Sequence, residues 1–271
     1  MATEVSKGDD GGGMTEQERK EAVEQAARKS TVYGILVTII FLVSLGANWW
    51  VQNNSGWNGK EEIAWFSTTA LLLLTFVLLG PMVGRRWFGV IVDFRNKPSS
   101  SRLQIALWTI VVISTVVTAT VYNIVANAID PMSFSIPGNV LAVLGISAVG
   151  VGGSQLLKVT ADRAGKLHSH SDVKKANIRN LIEEEDQNPD ETSVTNIDVS
   201  KVQMLMFTVI GIVTYSAVVL KWISGDPGTA GLMEFPDFSE GLMAIIAISH
   251  GTYLGIKATP NNDVRDPVLD D

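Results

Sequence analysis

The sequence predicts an all-α fold: a polytopic membrane protein of six transmembrane helices, the last four arranged as two hairpin repeats of the same topology. Three observations point there. The apolar residues, 46% of 271 positions, gather in six blocks instead of spreading evenly. The charged residues lie between those blocks, with the basic ones almost all on one side. The stretch SRLQIALWT at 101–109 returns as SKVQMLMFT at 200–208.

A membrane-spanning helix needs roughly 20 mostly apolar residues. The first block is 31–51 (TVYGILVTIIFLVSLGANWWV), and the second is 63–84, around ALLLLTFVLL. The third runs from 103 to about 126, the fourth from 138 to 157, and the fifth from 202 to 223. The sixth, LMAIIAISHGTYLGIKA at 242–258, is the shortest and carries a histidine. The chain then divides into an N-terminal tail with a short helix (1–30), a first transmembrane hairpin (31–84) and a first repeat hairpin (85–158). A linker (159–199), a second repeat hairpin (200–258) and a C-terminal tail (259–271) follow.

Numbering the loops alternately places 19 of the 21 Lys and Arg residues on the side of the two termini, leaving Lys60 and Lys221 opposite. The positive-inside rule therefore predicts an inner (plasma) membrane protein with cytoplasmic N- and C-termini. Trp49, Trp50, Trp57, Trp65 and Trp222 fall near the acidic outer surface and Trp87 near the inner one, as an aromatic belt would. The polar first 30 residues contain no apolar stretch that would make a cleaved signal peptide. There are no cysteines, which excludes disulfides and thiolate chemistry.

The repeat extends beyond its nine residues: SFSIPGNVLAVLGIS at 133–147 parallels MEFPDFSEGLMAIIAIS at 233–249. Both hairpins begin on the basic side, so a pseudo-two-fold axis along the membrane normal would relate them. Ser-x-x-Gln has the spacing of a capping box. Ser101 with Gln104, and Ser200 with Gln203, are expected to close the free N–H groups of the third and fifth helices. Arg102 and Lys201 would meet lipid phosphate there. Trp108 and Phe207 lie about 10 Å deeper, and Thr109 and Thr208 can return a hydroxyl to a carbonyl one turn back.

The repeated S-[RK]-[LV]-Q-x-x-x-[WF]-T motif, with the later ISHGTYLGIK, resembles a loosely defined group of bacterial multi-spanning membrane proteins carrying SLSRLQ…WT-like and GISHAxYL-like motifs. The resemblance covers roughly residues 93–257 and implies an architecture, not an activity. In the first copy ISAVGVGG stands where the histidine form would be, so a role tied to that histidine would exist once.

His250 is the ionisable residue near the middle of a span. Such groups serve in proton transfer or ligand contact, or sit neutral against a carbonyl or hydroxyl. Together with Ser249, Ser147, Asn123 and Asn127 it could line a polar path, or those side chains could hold helices together. Gly251 with Gly255, and Gly152 in span four, form small-residue faces for close contact within a chain or between copies. His168 and His170 lack a third ligand and read as solvated loop, not metal site. No nucleotide, hydrolase or metalloprotease motif occurs, so no cofactor, metal, nucleic acid or enzyme activity is expected. In the tail, Thr15 and Glu18 open a helix as a capping box. The charged face of that tail helix could sit on the membrane or bind a cytoplasmic protein partner. In the linker, DVKKANIRNLIEEED can form a short amphipathic helix, but its basic start and acidic end oppose the helix dipole, so it would fray without a partner. The sequence favours a structural, anchoring or assembly subunit in the bilayer, oligomeric through its small-residue faces. The alternative is an ion or proton channel or transporter with its path near the repeat axis.

Overall fold

A computed structural model describes residues 15–54, 56, 58–82, 87–93, 98–128, 130–163, 178–183, 197–225 and 231–258. Among them the fold is all-helical. It comprises α1 (Glu16–Asn53), α2 (Lys60–Met82), α3 (Ser100–Val125), α4 (Gly138–Arg163), α5 (Val199–Ile223) and α6 (Glu240–Ala258). Single 3-10 turns lie at Gly89–Ile91 and Ile178–Leu181. α1, α2, α3 and α5 are long and apolar enough to cross a membrane; the apolar part of α4, Gly138–Gly153, is shorter. His168, His170, Trp57, Gly84 and the C-terminal tail lie outside the described residues.

The tail helix and the first span are one continuous rod. Thr15 caps it as predicted: its hydroxyl accepts from the Glu18 N–H, while the Glu18 carboxylate accepts from the Thr15 N–H at 2.8 Å. At 1.5 Å per residue, 38 residues measure about 57 Å, well beyond the ~30 Å hydrocarbon thickness. The first third of α1 therefore projects from the bundle.

α3, α4, α6 and α5 pack in a ring, each touching the next, and the α1–α2 hairpin leans on α3, with α2 also reaching α5. The connections gather at two ends. At the acidic end Ser135 pairs with Glu234, and the Ser224 hydroxyl donates to the Glu62 carboxylate. At the basic end the Ser100 hydroxyl donates to the Leu181 carbonyl at 2.6 Å. The predicted amphipathic linker helix is, over its described part, only the turn Ile178–Leu181, whose Leu181 is buried. Leu181 is held by flanking bonds: Asp198 N–H to the Ile182 carbonyl (2.8 Å) and Lys201 Nζ to the Glu183 carbonyl (2.6 Å).

Polarity runs opposite to that of a water-soluble bundle. Ile35, Ile39, Leu42, Phe66, Val213 and Ile248 are exposed, while Asn48, Gln52, Thr68, Gln104 and Asn123 are buried. Exposed apolar side chains on long helices suit lipid, and buried polar ones suit contacts between helices. The ring's interior is apolar from its middle to its acidic end. Trp108, Tyr215 and Phe238 stack with centroids 5.5–6.1 Å apart, and Val219, Ile223, Leu232 and Phe235 continue the packing.

The aromatic belt is corrected in part. Trp49, Trp50 and Trp87 are exposed as expected. Trp65 is buried and donates its indole N–H to the Thr115 hydroxyl at 3.1 Å, and Trp222 packs on Phe235. For Trp65 the apolar area gained inside the bundle, plus a partner for its indole, outweighs a place at the interface, whereas Trp222 is half-buried one residue from the end of α5.

Candidate functional site

The capping boxes predicted at the two repeat motifs do not form. α3 starts two residues early, with Ser99 at its N-cap and no side chain capping it. Ser101 is then inside the first turn, where its hydroxyl cannot reach the free N–H groups it would have to satisfy. Ser101 Oγ and both polar atoms of Gln104 are buried without a hydrogen-bond partner. In α5 the cap is Asp198, whose carboxylate accepts from the N–H groups of Ser200 (3.0 Å) and Lys201 (3.1 Å). A carboxylate is a stronger acceptor than a serine hydroxyl and also suits the positive end of the helix dipole. It takes over the role expected of Ser200.

Beyond their first residue the two motif copies are also out of phase. Ser101, Gln104 and Trp108 are buried on α3; on α5 Ser200 is buried like its counterpart Ser101, but the next buried positions are Lys201, Met204 and Thr208, while Gln203 and Phe207 are half-exposed. The sequence repeat pairs Gln104 with Gln203, whereas burial pairs it with Met204. One residue is about 100° around a helix of 3.6 residues per turn. Like residues therefore face different surroundings, and the two hairpins are not copies of one another in packing. Arg102 points away from the ring and donates to the Val92 carbonyl at 3.0 Å. Thr208 does return its hydroxyl one turn back, to the Met204 carbonyl at 2.8 Å.

The candidate path residues part company. Asn123 staples loops: its Oδ1 accepts from the Leu232 N–H at 2.6 Å, and its Nδ2 faces the carbonyls of Pro131 and Leu232. Asn127 terminates α3. It adopts φ 54°, its N–H donates to the Ile124 carbonyl, and the Ala128 N–H donates to the Asn123 carbonyl. This is a Schellman ending, in which asparagine tolerates the left-handed conformation. Asn127 is exposed at the acidic end and lines nothing in the ring. Ser147 is fully buried and spends its hydroxyl on the Val143 carbonyl of its own helix.

Ser249 and His250 remain. Both are buried, and Ser249 Oγ has no partner. His250 Nδ1 lies 2.8 Å from the Ile246 carbonyl, which can only accept, so Nδ1 carries the proton and Nε2 is left as an unpartnered acceptor. The ring packs closely on a glycine: a β-carbon on Gly150 of α4 would stand 3.0 Å from His250 Cδ2, so one or the other would have to shift by a few tenths of an ångström. Gly153 similarly faces Leu254, whereas Gly152, Gly251 and Gly255 have no neighbour where a β-carbon would be.

A further polar cluster among the described residues was not anticipated from the sequence. Asn48 on α1 donates from Nδ2 to the Thr68 hydroxyl (2.8 Å), the Thr118 hydroxyl (3.0 Å) and the Ala64 carbonyl (3.2 Å). Gln52 donates to Asn48 Oδ1 and to the Thr118 carbonyl at 3.1 Å. The only sequence signal was the spacing of Asn48 and Gln52, one turn apart in an apolar block, which puts both amides on one face. This cluster ties the α1–α2 hairpin to α3.

No protein-family model, curated protein or solved structure matches this chain. Among the described residues no three metal-binding side chains converge.

Proposed function

We propose that this chain is a six-span subunit of the inner (plasma) membrane, with both termini cytoplasmic, serving as an oligomeric anchor or assembly element and not as an enzyme. The observation that carries this reading is the filled ring: Trp108, Tyr215, Phe238, Val219 and Ile223 occupy its middle and acidic half, where a conducting path would run. The polar side chains elsewhere support it too. Asn123 and Asn127 serve loops, and Asn48 with Gln52 joins helices, which is the work of a scaffold. The open glycine faces at Gly152 and at Gly251 with Gly255 suit contact with another copy. The projecting start of α1 and the linker offer surfaces to a cytoplasmic protein.

Two experiments test it together. Cross-linking of single-cysteine variants Gly251→Cys and Gly255→Cys in native membranes should give covalent dimers. Affinity purification from mild detergent should bring down a stoichiometric partner. Monomers throughout, with no partner, would defeat the reading. One observation favours the rival channel or transporter reading, namely the unpartnered Nε2 of buried His250.

A further inference from the structure

Five buried side chains on the ring's two diagonal helices leave six polar atoms without partners: Ser101 Oγ, both polar atoms of Gln104 and Trp108 Nε1 on α3, and Ser249 Oγ and His250 Nε2 on α6. All five residues are at most 3% exposed. Their depths can be compared through one contact. A β-carbon on Gly211 of α5 would touch Trp108 at 3.1 Å and Ile246 at 3.2 Å, so Trp108 and Ile246 lie in one layer. α3 and α6 run in opposite directions. Gln104, four residues before Trp108, and His250, four after Ile246, are therefore both about 6 Å nearer the basic end. Ser249 lies beside His250, and Ser101 one turn nearer that end. The aromatic layer lies on the acidic side of this level, and on the basic side the Leu181 carbonyl accepts from the Ser100 hydroxyl at the start of α3.

A buried polar group without a partner is destabilising, and five residues of this kind at neighbouring depths on the two diagonal helices point to a ligand. The set is uncharged and mixed in character. Trp108 can only donate, His250 Nε2 can only accept, and the amide and the hydroxyls do both. An ion would find no counter-charge there, whereas water, which needs two to four partners, fits. We propose that α3 and α6 enclose a hydrated pocket on the basic side of the aromatic layer, that water joins Gln104 and Trp108 to His250 across the ring, and that the Leu181 turn is its stopper. The pocket is a dead end: its water exchanges with solvent only when the Leu181 turn on the basic side opens, and goes no further toward the acidic end.

Radiolytic hydroxyl-radical labelling of the intact chain in lipid nanodiscs, in ¹⁸O water, tests this, because radicals formed from bound water oxidise the side chains that water touches. Tyr215, 2% exposed and in the apolar layer, is the internal reference. The expected result is oxidation of Trp108 and His250 at least about tenfold faster than of Tyr215, with ¹⁸O incorporated from buried water. Gln104→Leu should reduce labelling of Trp108 while leaving Tyr215 unchanged. Labelling of Trp108 and His250 no faster than of Tyr215 would overturn the proposal.

Discussion

The side-chain amide of Asn48 on α1 donates to the hydroxyl of Thr118 on α3 at 3.0 Å, across 70 positions of sequence. In hydrocarbon such a bond competes with no water, and its loss strands the partners left behind. Asn48→Leu should therefore destabilise the bundle by about 1–2 kcal/mol by separating the α1–α2 hairpin from α3. Unfolding in mixed detergent micelles measures this. Thr118→Val, which removes one of several acceptors, should cost less.

The loop staple at the acidic end is sensitive at Gly231. Its φ is +72°, and a β-carbon there would stand 2.8 Å from Asn123 Oδ1. Gly231→Ala combines a disfavoured backbone with a clash on a buried hydrogen bond, and a loss of about 2 kcal/mol is expected. Asn123→Ala, which leaves the Leu232 N–H unpaired, should cost a similar amount. Thermal melts of the two variants and their double should show that the effects do not add, because both break one contact.

At the start of α5 the cap is Asp198, so Asp198→Ala should cost about 1 kcal/mol. Gln203→Ala should be silent by the same melt. A reversed order would restore the Ser200–Gln203 capping box.

The start of α1 should respond to acid. The backbone N–H of Thr15, and then its hydroxyl, hold the Glu18 carboxyl below its ordinary value of 4.5. A carboxyl with a depressed folded pKa stabilises above its unfolded pKa, and that contribution is lost as pH falls through the folded value. The first turn of α1 should thus fray below about pH 4.5 while the spans persist. Cα chemical shifts of residues 15–20 report it, and Glu18→Gln should shift the midpoint or abolish it.

How much of this was legible in sequence depends on whether a feature is local. The Thr15–Glu18 box and the apolar blocks are set within a few residues, and spacing reveals them. Rotation about a helix axis is not local. SRLQ and SKVQ look alike, yet Gln104 is buried and Gln203 is not, because α3 is packed on several sides while α5 shows lipid a wide face. The amides of Asn48 and Gln52 were visible as letters, but their partners on α2 and α3 are chosen by packing. His250 stood out for its charge chemistry. Gln104 and Trp108 stand out only once they are seen to be buried without partners.

The central claim is a membrane scaffold whose ring is closed by the layer of Trp108, Tyr215 and Phe238. The most direct test is ion and proton flux through purified chain reconstituted in liposomes, under imposed gradients, with and without His250→Ala. The account predicts flux no greater than in protein-free vesicles for both. Flux in the wild type that His250→Ala abolishes would contradict it and make the polar side chains a transport path.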